Sequence, residues 1–206
     1  MTTKNKEATI SFIVPCYNDA DTIEKMVLSV RDQDLPNIEI IAINDGSTDK
    51  SKEVLENLKA VGLIDKFINF EKNKGACIAR NKGAKVATGK YLAFLPADAV
   101  LYAGMARIWH DTLEDFPEYD FMYGGYRFID EDGEPLEGQD YMGGAFDPYL
   151  LEVTNYIDGS FPIRREKFWE YAEKMNQPDG LWDPKIKSLQ DWDYWLSVVK
   201  NGGKGV

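Results

Sequence analysis

Ile38-Glu39-Ile40-Ile41-Ala42-Ile43-Asn44-Asp45-Gly46-Ser47-Thr48-Asp49 is the stretch whose reading decides the fold. Its first half is a short β-branched apolar run, and its second half is a cluster of turn formers. A continuous run of this kind reads as a strand buried on both faces, which is the habit of parallel sheets. Three more runs share the pattern: Ile10-Ser11-Phe12-Ile13-Val14 stopped by Pro15, the weaker Lys66-Phe67-Ile68-Asn69-Phe70, and Tyr91-Leu92-Ala93-Phe94-Leu95 stopped by Pro96. Helical patterns lie between them. Ile23, Met26, Val27 and Val30 stand at i, i+3, i+4, i+7 behind Asp19 and Asp21 as candidate N-caps. Val54, Leu55, Leu58 and Val61 form a stripe closed by Gly62. Residues 76–86 predict a third helix, and Met105 to Phe116 a fourth that stops near Pro117. Strand–helix alternation with short loops implies right-handed βαβ units in a parallel sheet, with ligands beyond the carboxyl ends of the strands. Function is therefore sought at Pro15–Asp19, Asn44–Asp49 and Pro96–Ala99.

The second half is less regular. Phe121-Met122-Tyr123 and Tyr126-Arg127-Phe128-Ile129 bracket Gly124-Gly125, and a turn is expected over Asp130 to Gly133. Residues 133–150, rich in Gly, Pro and Asp, read as a long loop. Residues 165–175 and, more clearly, 191–200 read as helices, the latter with Trp192, Trp195, Leu196 and Val199 at helical spacing. There is no internal repeat and no low-complexity linker, so a single domain over residues 1–206 is expected.

The chain has 206 residues, and 24 Lys and Arg against 35 Asp and Glu give a net charge of −11. That balance argues against nucleic-acid binding, which needs a positive field. No run of about 18 apolar residues is present, so no membrane-spanning helix is expected. The first ten residues lack the apolar core of a signal peptide. Two cysteines and one histidine exclude a disulfide framework and a Cys- or His-rich metal site. These features predict a cytoplasmic chain, at most peripheral to the inner face of the membrane, whose chemistry rests on carboxylates.

Three acidic positions stand out, each with a plain alternative. Asp45 is either part of a strand-to-helix turn or a carboxylate that accepts hydrogen bonds from a base or ribose. Asp98 is either a helix cap or a ligand for a hard cation, since magnesium takes one or two carboxylates plus phosphate oxygens. Asp191 is either an N-cap or, beside the aromatic wall of Trp192, Tyr194 and Trp195, a general base. Lys74 and Arg80, at the opening of the third helix, either face solvent or meet a diphosphate together with backbone N–H groups. Neither a G-x-G-x-x-G fingerprint after the first strand nor a P-loop is present. Cys16 reads as a half-buried small residue rather than a nucleophile.

Taken in order, Ser11 to Asn18, Ile43 to Asp49, Asn73 to Gly83, Gly89 to Asp98 and Gln190 to Asp193 resemble the motifs of family 2 inverting glycosyltransferases. Each motif is weak alone; five in order at strand ends are specific. The resemblance runs from about Ala8 to the end of the chain. It implies an α/β GT-A fold, a Rossmann-like, mostly parallel central sheet flanked by helices with an irregular C-terminal half. Residues from about 8 to 130 would bind the nucleotide sugar, and residues from about 131 to 206 would form the acceptor side. The implied reaction is inverting transfer from a nucleotide-diphosphate sugar, a UDP-sugar for preference, to a hydroxyl of a carbohydrate or glycolipid acceptor in polysaccharide or glycoconjugate synthesis. Pro15, Tyr17, Asp45, Lys74, Arg80, Ala97 and Asp98 are the implied nucleotide-sugar-binding set. Asp45 would contact the base, Asp98 would bind Mn2+ or Mg2+, and Asp191 would be the general base.

The sequence departs from the family pattern in two ways. The D-x-D motif is thinned, because Pro96 and Ala97 stand where a further acidic residue is usual and only Asp98 remains. The segment from Asn201 to Val206 reads as a turn and the start of a further strand, so a complete member of the family is expected to continue past it. Two rival readings follow. One is a catalytically weak or inactive nucleotide-sugar-binding module. The other, ranked lower, is a nucleotidyltransferase, which would use a Gly-rich basic loop where this chain has Pro15-Cys16-Tyr17-Asn18-Asp19.

Overall fold

The computed structural model describes residues 8–130, 133–141 and 143–206. Four parallel strands form the sheet: β1 (Ile10–Cys16), β2 (Glu39–Asp45), β3 (Lys66–Phe70) and β4 (Tyr91–Phe94). A two-residue strand, β5 (Ile163–Arg164), adds antiparallel to β4, so the order is β3-β2-β1-β4-β5. Helices α1 (Ile23–Arg31), α2 (Ser51–Ala60) and α3 (Ala76–Val86) connect the parallel strands, and α4 (Met105–Asp115) follows β4. The mostly parallel α/β sheet expected from the sequence is present. Its strand order reverses between β1 and β4, which puts a crevice at their carboxyl ends.

The apolar runs are strands because both faces are covered. Phe12, Ile13, Val14, Ile40, Ile41 and Ile43 are all buried. The stripe of α1 is buried in full, whereas α2 buries Leu55 and Leu58 but leaves Val61 exposed. The end of α2 closes as expected at Gly62, with Leu63 N–H donating to Leu58 O at 2.9 Å and Gly62 N–H to Lys59 O at 3.1 Å. Pro15 does not stop β1, which runs on to Cys16. The pairing with β4 involves only Ile10–Ile13, so beyond it the strand has one neighbour and a missing N–H is tolerated. The candidate caps Asp19 and Asp21 do not cap α1: Thr22 takes that position without a side-chain bond, and the Asp19 carboxylate turns back to Tyr17 N–H.

The second half holds more structure than its sequence suggests. Residues 133–150 are not one loop. Strand β6 (Tyr126–Ile129) pairs antiparallel with β7 (Pro135–Tyr141), and a single-turn helix, α5 (Pro148–Leu151), follows. The hairpin escapes an alternation test because cross-strand pairs hold it rather than a buried face. Arg127 grips Asp140 with two hydrogen bonds of 2.6 and 2.5 Å, and Tyr126 stacks on Tyr141 at 5.2 Å. Helix α5 begins at Pro148 with Asp147 as its N-cap, whose Oδ1 accepts Tyr149 and Leu150 N–H. In the expected turn, Gly133 N–H donates to Asp130 O at 3.0 Å, while Glu131 and Asp132 lie outside the described residues, as do residues 1–7 of the polar N-terminus. Helices α6 (Arg165–Lys174) and α7 (Gln190–Lys200) fall where the sequence puts them. Gly205 then bridges Phe121 in parallel, the strand-like contact expected of the final residues.

Two features position the site. The first is an aromatic block: Phe94 at the end of β4 meets Trp182 at 5.3 Å and Tyr194 of α7 at 6.0 Å, and Trp182 stacks flat on Tyr194 at 4.2 Å. The second is Glu39, 7% exposed at the amino end of the sheet. Its carboxylate accepts Ser11 Oγ at 2.5 Å, Thr88 N–H at 2.9 Å and Lys66 Nζ at 2.6 Å, joining β1, β2, β3 and the approach to β4. Burial pushes this carboxyl up, but hydrogen bonds from Lys66, Ser11 and Thr88 outweigh it and hold it below the usual glutamate range. The stability it contributes is therefore present above the ordinary glutamate range and is lost as pH falls through its lowered folded value. Glu39→Ala should cost about 3 kcal/mol and lower Tm by roughly 10 °C. In thermal melts, the acid side of the wild-type Tm profile should be steeper than that of the variant; equal slopes would contradict this role.

Candidate active site

The loops at the carboxyl ends of the strands are laced together by carboxylates and hydroxyls. Asn18, in a left-handed conformation, donates its N–H to Ser47 Oγ at 3.1 Å and accepts Thr48 N–H at 2.8 Å. Asp19 N–H donates to Ser51 Oγ, and Asp49 accepts Ser51 N–H, Ser51 Oγ and Ala20 N–H. These bonds fix the loop after β1 on the loop after β2, with Tyr17 exposed and Pro15 half-buried between sheet and solvent.

Asp45 is 2% exposed and ends β2. Its Oδ1 accepts Lys74 N–H at 2.7 Å, and its Oδ2 accepts Gly75 N–H at 2.9 Å. The residue thus organises the loop that opens α3, and each oxygen keeps a lone pair for a further donor. Gly46 follows with φ +70°, and a Cβ there would stand 2.4 Å from Asn73 N. Only glycine lets the two loops meet so closely.

The two candidate cations have separate surroundings. Lys74 is exposed, its ammonium 4.5 Å above the Phe70 ring. The Arg80 guanidinium lies 4.2 Å over the Trp182 ring, and its Nη1 donates to Gln190 Oε1 at 3.2 Å. Its Nε is buried without a hydrogen-bond partner among the described residues. Burial pulls the guanidinium down, opposed by Cys77, Asp158 and Asp191 around it. An arginine stays charged through such a shift.

Asp191 lies in the first turn of α7, but it is not the N-cap. That place is taken by Leu189, in a left-handed conformation and 57% exposed. The Asp191 carboxylate instead accepts Asn155 Nδ2 at 2.8 Å. A cleft of about 360 Å³ joins it to Arg80, Phe94, Pro96, residues 158–160 and residues 187–190. That size suits a small-molecule site. A larger cavity of about 600 Å³ lies between α3 and residues 176–185 and contains none of the candidate residues.

Asp98 is exposed past β4, and Ala97 beside it is buried. Asp19 is its electrostatic neighbour. Burial pushes the Asp19 carboxyl up, the Tyr17 N–H pulls it down, and the Asp98 charge adds to the rise. Among the described residues no cluster of three or more His, Cys, Asp and Glu side chains is arranged to hold a metal. The donor set nevertheless fits a hard cation bound through one carboxylate, because the Asp98 oxygens are exposed and phosphate oxygens with water can complete the shell.

Sequence reasoning missed Asn155, Lys187 and the carboxylate of Asp158. Asp158 carries a weak turn signal in Asp158-Gly159-Ser160; Asn155 carries none, since its partner is 36 residues away. Of the aromatics between residues 141 and 156, Tyr156 is buried and bonded to Asp147, Phe146 packs on Phe121, Tyr141 is half-buried, and Tyr149 is 80% exposed. Cys16 is fully buried with its thiol pushed up to about 12 by burial, which agrees with a packing role.

The Glycosyl transferase family 2 model matches residues 11–172, and the chain belongs to that family. TuaG of Bacillus subtilis (strain 168), a glycosyltransferase assigned to teichuronic acid biosynthesis, is 31% identical over 205 residues, covering 96% of this chain and 75% of its own. Among solved structures, S. aureus TarS matches with a TM-score of 0.73 and 18% identity over 96% of this chain and 34% of its own. The mannosyltransferase PcManGT from Pyrobaculum calidifontis, in complex with GDP-Man and Mn2+, matches with a TM-score of 0.69 and 17% identity over 98% of this chain and 55% of its own. The chain thus spans about a third to a half of the length of these structural neighbours. At such identities the likeness shows the GT-A fold. Among the described residues no helix is long and apolar enough to cross a membrane.

Asp45→Asn should leave a part-buried N–H of Lys74 or Gly75 without the acceptor it has now and cost about 1 kcal/mol. Urea unfolding reads this directly, and an unchanged midpoint would remove Asp45 from its organising role.

Proposed function

We propose that this chain carries out inverting transfer of a sugar from a UDP-sugar to an acceptor hydroxyl, with Asp191 as general base. The observation that carries this reading is the cleft shared by Asp191, Asp158 and Arg80 beside the carboxyl end of β4. Asp191 takes the proton of the acceptor hydroxyl, which attacks the anomeric carbon from the face opposite the leaving diphosphate. Arg80, held over the Trp182 ring, supplies positive charge to the donor side. Lys74 and the first N–H groups of α3 extend that field along the diphosphate. Asp45, Pro15 and Tyr17 form the nucleotide wall, and Ala97 shapes it by being small. Asp98 would hold Mn2+ or Mg2+, which when bound supplies Lewis-acid stabilisation of the departing diphosphate. Base removal costs about 10²–10⁴-fold in rate, so Asp191→Asn should abolish measurable transfer while UDP affinity stays within about twofold. Full turnover by that variant would end the assignment.

The donor class is supported by TarS 1-349, solved in complex with UDP-GlcNAc, while PcManGT carries GDP-Man. A thermal-shift screen with manganese separates the two. UDP-sugars should raise Tm by several degrees at saturating ligand, because binding to the folded state stabilises by mass action. Stabilisation by GDP-sugars alone would overturn the UDP reading. A non-catalytic nucleotide-sugar-binding module is the second reading, favoured by Asp98 standing without a second carboxylate at residues 96–97. Tight manganese-dependent UDP binding in calorimetry, with neither donor hydrolysis nor transfer, would favour it.

A further inference from the structure

Helix α7 grips the segment between α5 and β5 with its own side chains. Trp192 Nε1 donates to Leu151 O at 2.6 Å, and Trp195 Nε1 donates to Asp158 O at 2.9 Å. The segment is pressed against the site itself: a Cβ on Gly159 would stand 2.8 Å from Trp182 Cη2 and 3.3 Å from Asp191 Cβ. From the middle of this strap, Asn155 Nδ2 donates to Asp191 Oδ2 at 2.8 Å, the one hydrogen bond the carboxylate makes among the described residues. Asn155 Oδ1 is buried and has no partner there. The amide is therefore held on its donor side alone, toward Asp191, although a buried unpaired acceptor is a cost to the fold.

We propose that Asn155 is a positioning residue for Asp191: it ties up Oδ2, fixes the carboxylate plane, and leaves Oδ1 to take the acceptor proton. The proposal rests on Asp191 being the base. A neutral donor suits this task better than a cation, because it orients the carboxylate without cancelling its charge. Arg80 from α3 and Lys187 ahead of α7 already supply positive charge to the cleft, against Asp158 from the strap, while the phenol of Tyr126 from β6, pushed up by burial and by Asp158 and Asp191 nearby, stays neutral. A hydrogen bond to the charged form of a carboxyl favours that form. Removing it should move the protonation midpoint of Asp191 upward.

The test compares Asn155→Leu and Asn155→Ser with the unaltered chain. The Asp191 carboxyl carbon is followed through a pH titration by NMR on 13C-aspartate-labelled protein and assigned by its loss in Asp191→Asn. Turnover of UDP-GlcNAc and calorimetric UDP affinity with manganese are measured alongside. In Asn155→Leu the midpoint should rise and kcat should fall about 10–100-fold, as a misplaced reacting group does. UDP affinity should stay within about twofold, and the serine variant, which can still donate, should lie between. An unchanged midpoint and kcat in both variants would overturn the proposal. So would a loss of Tm and UDP affinity with an unchanged midpoint, which marks a merely structural residue. Should the leucine variant fail to fold, the serine variant reads the same midpoint. The two readings fail separately. Full turnover by Asp191→Asn removes the base and with it the role of Asn155, whereas an inactive Asp191→Asn beside indifferent Asn155 variants removes the positioning role alone.

Discussion

The flat stack of Trp182 on Tyr194, with the Arg80 guanidinium on the outer face of Trp182, is the contact on which the site depends. It joins α3 to two later parts of the chain about a hundred residues on, the segment after α6 and α7. Phe94 at the end of β4 abuts the same pair, so the sheet sets the depth of the block. Burial of large aromatic surface supplies most of the attraction, and the tilted and edge contacts around it fix orientation. The consequence is chemical. A cation and a carboxylate from α3 and α7 face one cleft because rigid rings hold the two helices, not because the ions attract each other across water.

A second theme is how the excess of acidic residues is used. The net charge of −11 suggests a surface that repels a diphosphate. Several of these carboxylates are occupied with backbone N–H groups instead. Asp45 holds Lys74 and Gly75, Asp49 holds Ser51 and Ala20, Asp19 holds Tyr17, and Asp147 holds Tyr149 and Leu150. Each is an anion bound by local peptide dipoles, and each offsets part of the entropy cost of ordering its loop. The acidity builds the loops, while the proposed donor side is left to Arg80, Lys74 and the start of α3.

The sheet was legible because burial on both faces writes itself as uninterrupted apolar runs. Asp45, Asp98 and Asp191 were legible because strand ends and helix starts can be placed once the strands are. What escaped was held by pairing across the chain. The β6–β7 hairpin rests on Arg127 with Asp140 and Tyr126 with Tyr141, which no local period reveals. Asn155 looks like any polar loop residue until the strap is folded back on α7. The caps failed for a related reason. A local rule assigns Asp19 and Asp21 to α1, but the loop after β1 needs the Asp19 carboxylate for Tyr17 N–H, and tertiary demand won.

The two halves of the chain therefore differ in what constrains them. The first half is fixed by parallel pairing, which tolerates little change in register, so its motifs keep their order and spacing and are readable as a family. The later half hangs on α7. Its strap is bound through two indole N–H groups to backbone carbonyls, contacts that ask nothing of the side chains at Leu151 and Asp158. The exposed side chains of Glu152, Val153 and Thr154 are thus not needed to hold the strap, whereas Tyr156, Ile157 and Phe161 are buried in the core. From this anchored backbone the strap places Asn155 on Asp191 and a second carboxylate, Asp158, in the same cleft.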